Sequence, residues 1–295
     1  MSNTSSRRGT LIEQDGISYQ TGFGNSFESE CVPGALPAGR NNPRLVPFQL
    51  YTEQLSGTAF TAPRAENRRV WLYRIQPSVV ISAAEDTGRF FGGIAPSECH
   101  AQVDPLRWKP ASMEQAEQHT FLTGMKLMCA AGDPITKHGL AIYQYICGKN
   151  MDDTSFYNSD GDFLIVPQQG ELRIQTEVGR FGVQPNEIMV IPRGFVFTID
   201  LNNDSRGYVL EVFNGGFQLP ELGPIGSNGL ANARDFYYPT AHCVSCREDY
   251  RRPSTIYCKM HSKLYMKQSD HSPFNVVAWH GNYLPYKCMF ILESR

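Results

Sequence analysis

His280 is the residue whose neighbours best suit it to chemistry. It sits in Phe274-Asn275-Val276-Val277-Ala278-Trp279-His280-Gly281-Asn282-Tyr283. An apolar strand that ends in a Gly-Asn turn projects an imidazole from a rigid element, and a ring titrating near neutrality is suited to accept a proton. The same string also fits a hydrogen-bonded structural histidine beside Trp279. The other six histidines, His100, His119, His138, His242, His261 and His271, have no comparable setting. A second cluster is Cys243-Val244-Ser245-Cys246, with Cys258 and His261 following. Its C-x2-C-x11-C-x2-H spacing is close to that of a zinc site. The segment lacks the glycine and aromatic context usual in such sites, and Arg247, Arg251 and Arg252 suit a solvated loop.

A third pattern ends without a ligand. Asn186-Glu187-Ile188-Met189-Val190-Ile191-Pro192-Arg193-Gly194-Phe195-Val196-Phe197 resembles the second half of the cupin metal motif. In that motif Pro and Gly turn the chain and the next strand aims a histidine at the metal. Phe197 stands where the histidine would be, and a phenyl ring cannot ligate. Around Phe156-Tyr157-Asn158 there is no His-x-His, and Asp162 is one residue out of register with the turn glycine Gly170. The expectation is a structural barrel filled by side chains. Asn158-Ser159-Asp160-Gly161-Asp162 starts like a calcium loop but lacks the distal Glu, and fits a tight Asp-Gly turn. Gly22-Phe23-Gly24 lacks the third glycine of a dinucleotide fingerprint.

The elements that must position these groups are short strands. Trp71-Leu72-Tyr73-Arg74-Ile75 alternates and is closed by Pro77. Further strands are expected over 140–147, 163–166, 171–176, 188–191, 195–199 and 208–213. Their spacing, with Gly or Pro between runs, predicts a mainly β fold: a cupin-like double-sheet barrel or sandwich with few short helices. Residues 1–18 are expected to be a disordered tail. Residues 19–222 would hold an extended N-terminal arm and the metal-free β domain. One short helix is expected around 111–119. Residues 223–270 read as a linker and Cys-rich connecting segment, and 271–295 as the start of a truncated catalytic half.

Composition narrows the functional class. The 295 residues are 41% hydrophobic and 19% charged, which provides for a core and excludes a disordered chain. A net charge of −2 gives no polycationic signature for nucleic acid. The polar N-terminus has no secretory h-region, no run is long enough to span a membrane, and the last three residues are no peroxisomal address. Eight cysteines without a leader are expected to be reduced thiols in the cytoplasm.

Long strings then carry a family likeness. Tyr19-Gln20-Thr21-Gly22-Phe23-Gly24-Asn25, Leu50-Tyr51-Thr52-Glu53-Gln54-Leu55-Ser56-Gly57, Phe156-Tyr157-Asn158-Ser159-Asp160-Gly161-Asp162 and Ser272 through Tyr283 closely resemble homogentisate 1,2-dioxygenases. The likeness runs in order from about residue 19 to 287. It implies a cytoplasmic enzyme of phenylalanine and tyrosine catabolism, assembled as a trimer or hexamer. That enzyme opens the ring of homogentisate with O2 to give 4-maleylacetoacetate, using Fe(II) held by two His and one Glu. By matched position His280 is the proton acceptor. The family's iron ligands would lie beyond residue 295, so this chain alone is expected to bind no iron and to be inactive. The alternative is a non-enzymatic assembly partner or decoy, with zinc at Cys243, Cys246, Cys258 and His261.

Overall fold

The alternating runs form strands throughout a computed structural model that describes residues 11–37, 46–222, 227–242 and 251–289. The chain begins with β1 (Leu11–Gln14), β2 (Ile17–Thr21), β3 (Phe27–Glu30), β4 (Tyr51–Ser56), β5 (Arg69–Arg74) and β6 (Glu85–Phe90). Next come β7 (Met125–Asp133), β8 (His138–Cys147), β9 (Thr154–Asn158), β10 (Asp162–Gln169), β11 (Leu172–Thr176) and β12 (Gly179–Val183). β13 (Glu187–Ile191), β14 (Phe197–Leu201), β15 (Ser205–Val212), β16 (Phe236–Pro239), β17 (Ser254–Met260), β18 (Lys263–Ser269), β19 (Val276–Gly281) and β20 (Tyr286–Met289) complete it. Among the described residues these form three sheets. A nine-stranded sheet runs β1-β2-β16-β20-β13-β10-β15-β8-β7 and a seven-stranded sheet β12-β11-β14-β9-β17-β18-β6. The third, of four strands, is ordered β3-β19-β5-β4. The fold is mainly β, and its sheets are open rather than closed into a barrel.

Period-two alternation decides which side chains fill the space between the two larger sheets. Phe163 and Ile165 on β10, and Tyr143 and Tyr145 on β8, are buried from one side. Leu172, Ile174, Phe181, Phe197 and Ile199 are buried from the other. Phe156 on β9 stacks across the gap on Phe163, with ring centres 6.0 Å apart. Gly194, at φ +90°, makes the turn that aims β14 inward.

Several expectations need correction. Residues 11–18 are not a loose tail: β1 pairs with β2, and β2 with β16. Buried Tyr19 accepts a hydrogen bond from the Gly182 amide at 2.9 Å. The Lys287 ammonium, fully buried, donates to Gln14 Oε1 at 3.0 Å. Residues 1–10 lie outside the described residues. The helix expected at 111–119 is one 3-10 turn, Ala116–Gln118. The boundaries at 222 and 270 do not divide the sheets. β17 pairs with β9, β19 with β5 and β20 with β13, so the last described strands complete sheets begun far earlier. Strand pairing is set by long-range contacts that local composition does not report. Residues 223–226 of the expected linker lie outside the described residues. Cys31 is disulfide-bonded, against the expectation of reduced thiols, whereas Cys99, Cys129, Cys147, Cys258 and Cys288 are free. A whole-chain cysteine count does not resolve which thiols lie at bridging distance.

Candidate functional site

β19 carries His280 in the middle of the four-stranded sheet. Trp279, fully buried, donates its indole N–H to Val178 O at 2.8 Å and fixes the strand against the main core. The next residue along, His280, therefore belongs to the opposite face. It is half-buried and lies in register with Glu28 of β3 and Trp71 of β5. Its Nε2 lies 3.0 Å from the Tyr73 hydroxyl, and the rings are tilted by 31°. Tyr73 is held by a small buried cluster with Ala35, Val277 and Ala278. The turn beyond is equally constrained. Gly281 has φ +154°, and a Cβ there would come within 2.3 Å of Arg69 O. Asn282 accepts from the Arg69 amide at 2.9 Å and donates to Asn67 O at 2.9 Å. Gly281 and Asn282 thus tie the end of the strand that carries His280 to β5 and the chain just before it.

The space between the large sheets has different chemistry. Phe197, where the cupin pattern would have a histidine, meets Phe156 edge to face at 5.6 Å. Below them the chain's own ammonium serves as the buried cation. Lys259 Nζ donates to Asp160 Oδ2 at 2.6 Å and to Glu211 Oε1 at 2.8 Å. Asn158 Nδ2 and the Tyr143 hydroxyl complete the shell of Glu211, at 2.7 and 2.9 Å. Asp160 also accepts from the amides of His261 and Ser262. That accounts for the Asn158–Asp162 turn without calcium. Asp162 accepts from the Arg193 amide at 2.9 Å, and burial pushes its carboxyl above the usual value.

A test for iron follows from these donors. Among the described residues no group of three His, Cys, Asp or Glu could hold a metal ion. Residues 11–37, 46–222, 227–242 and 251–289 therefore do not fit the iron site that the family likeness implies. Of the zinc cluster, Cys243 and Cys246 lie outside the described residues. Cys258 is buried on β17, its sulfur 3.4 Å from Ser159 Oγ, and His261 is exposed at φ +52° in the β17–β18 turn.

Sequence patterns missed Tyr73 and Lys259. Tyr73 belongs to the alternating Trp71–Ile75 run, and register with β19 would have been needed to pair it with His280. Lys259 betrays itself only as a lysine within an otherwise strand-forming run, Thr255-Ile256-Tyr257-Cys258-Lys259.

Comparison with known proteins matches this sequence to a family. The family model described as "Homogentisate 1,2-dioxygenase N-terminal" covers residues 18–290. The human homogentisate 1,2-dioxygenase is 50% identical over 279 residues, spanning 92% of this chain and 61% of the human protein. The Dictyostelium discoideum enzyme is 50% identical over 278 residues, covering 94% and 63% of the respective chains. The chain thus spans about three-fifths of the length of these curated relatives. Among solved structures, a cupin family protein with a double-stranded β-helix fold from Methanocaldococcus jannaschii covers 39% of this chain and 95% of its own. It does so at 12% identity and a TM-score of 0.28. With the family model covering nearly all of the described strands, this chain belongs to the homogentisate 1,2-dioxygenase N-terminal family.

Proposed function

We propose that this chain is the N-terminal portion of a homogentisate 1,2-dioxygenase and supplies its proton acceptor, His280. The observation that carries this is the 50% identity to curated enzymes of that name over some 280 residues. The reaction would open the ring of homogentisate with O2 to give 4-maleylacetoacetate, in the cytoplasmic degradation of phenylalanine and tyrosine, by a homo-oligomer. Ferrous iron, when bound, would supply electrons and orient both reactants. Its ligands are proposed to come from the length of the relatives that this chain does not span.

What these residues contribute is proton handling. A phenolic substrate must lose a proton as its ring is activated, and an imidazole on a rigid strand accepts one at modest cost. The Tyr73 hydroxyl fixes the orientation of that ring, acting as a positioning residue. Two measurements test the proposal. Disruption of the gene in its own cells should make homogentisate accumulate; undiminished turnover would sink the assignment. The purified polypeptide should carry no iron and show no homogentisate-dependent oxygen uptake. Stoichiometric iron with turnover would overturn the placement of the ligands.

A further inference from the structure

Tyr157 and Ile256 alternate with core-facing neighbours and so point to the outer face of the seven-stranded sheet. Where that face meets β4 and β5 there is a cavity of about 550 Å³. That volume lies within the range of small-molecule sites. Leu55, Leu72, Val79, Val196 and Ile256 give it an apolar wall.

Its polar groups are few and unequal. Arg74, almost wholly buried, lies between two carboxylates: Nε is 2.6 Å from Glu53, and Nη2 pairs with Glu177. One guanidinium against two carboxylates leaves an excess of one negative charge. Lys267 supplies the opposite sign. Its Nζ donates to the Tyr157 hydroxyl at 2.9 Å and lies 5.5 Å from the centre of that ring. Burial, reinforced by the Cys258 thiol, raises the Tyr157 phenol above its ordinary value, so it stays neutral and leaves the ammonium charge in place. His271 lines the same cavity with Nδ1 turned to Asp270 at 2.7 Å. Asn275 completes the set. It is 1% exposed, its Nδ2 donates to Ser272 O at 3.2 Å, and its Oδ1 has no hydrogen-bond partner among the described residues.

An anion or a cation alone would unbalance a cavity whose fixed charges already sum to zero. A zwitterion leaves the sum unchanged and satisfies both signs. We propose that this cavity binds a free α-amino acid with an apolar side chain. The ammonium meets the Glu53 carboxylate of the Glu53–Arg74–Glu177 group, the carboxylate meets Lys267, and the side chain lies on Leu55, Val196 and Ile256. The site is separate from His280 and stands whether or not the dioxygenase assignment does.

Isothermal titration of the whole chain with L-leucine and L-phenylalanine tests this. N-acetyl-L-leucine, which lacks the ammonium, and isoamylamine, which lacks the carboxylate, serve as controls. Saturable binding of at least one amino acid is expected, with both controls weaker by about tenfold or more. Lys267→Met should weaken binding by a similar factor. Val79→Trp, at a rim position 80% exposed, should block entry without touching the core; it decides the matter if Lys267→Met does not fold. The proposal falls if neither amino acid binds at about 10 mM, if either control binds as well as L-leucine, or if Val79→Trp leaves affinity unchanged.

Discussion

Between the two large sheets the buried charges of Lys259, Asp160 and Glu211 are answered by the chain itself. Lys259 is fully buried and bonded to Asp160 and Glu211, and aromatic rings close the space above it. The face that carries His280 is built the other way. The Tyr73 hydroxyl meets Nε2, and the imidazole remains half-buried at the edge of the sheet. The inter-sheet region has the outline of a metal centre, with inward strands, a Pro-x-Gly turn and a buried cation, but among the described residues it offers no group of three metal donors. The His280 face has the outline of ordinary sheet, yet it keeps a titratable ring within reach of solvent. In this chain burial and completeness mark the inter-sheet region as structure, and the chemistry proposed for His280 would rest on partial burial beside a rigid turn.

The sharpest way to break that contrast is to remove the internal cation. Lys259→Met would leave Asp160 and Glu211 buried without their partner, and breaking such a pair costs about 3–5 kcal/mol. Chemical denaturation should show that loss, or the protein should fail to fold. Adding Asp160→Asn and Glu211→Gln should recover part of it, because neutral amides bury at lower cost. A pH series refines the test. Burial opposes ionisation of Asp160, but the Lys259 ammonium and the Ser262 and His261 amides outweigh it and hold its carboxyl below the usual value. A depressed carboxylate contributes stability that is present above its unfolded value, about 3.9, and is lost as pH falls through the folded one. The parent should therefore lose stability on acidification below about pH 4, and the triple variant should lose less. An identical acid profile in the two would remove Lys259 from its assigned role.

Whether these regions could be read from sequence depended on the range of the contacts. Phe195, Phe197 and Ile199 announced an inward face by alternation alone, and all three are buried. Pro192-Arg193-Gly194 marked the turn, and the phenyl ring of Phe197 marked the lost ligand. Local strings also placed His280 at the end of a strand beside a turn, since strand and turn are both encoded there. The partners were not legible. Lys259 meets Asp160 across 99 positions, Tyr73 meets His280 across 207, and Lys287 meets Gln14 across 273. That last contact is why the N-terminal hairpin reads locally as a loose tail. A four-residue strand has little stability of its own, and the groups that hold it lie at the other end of the chain.

The His280 edge offers a smaller perturbation. Gly281→Ala would place a methyl group against Arg69 O at a φ that L residues rarely adopt. Substitution at such a position should cost more than about 1 kcal/mol, because the β5 backbone must move. Arg69 also meets Asn282, so the same shift should disturb the turn that presents the imidazole. A denaturation midpoint equal to the parent's would show that the turn is not under the constraint described. It would also weaken the case that His280 is held in one place.

The mildest change separates positioning from packing. Tyr73→Phe keeps the ring in its cluster with Ala35, Val277 and Ala278 and removes only the hydroxyl that meets Nε2. A single hydrogen bond of this kind contributes about 1 kcal/mol, so the melting curve should shift little. The effect on the imidazole should be larger than the effect on the fold. Without the hydroxyl the environment of Nε2 changes, and the NMR signals of the His280 side chain should shift or broaden while those of Trp279, on the opposite face, stay put. If both residues responded equally, Tyr73 would be a packing residue and the His280 face would differ from the core only in exposure. If neither responded, Nε2 would not depend on Tyr73 for its orientation, and the positioning role would pass to the residues in register with it, Glu28 and Trp71.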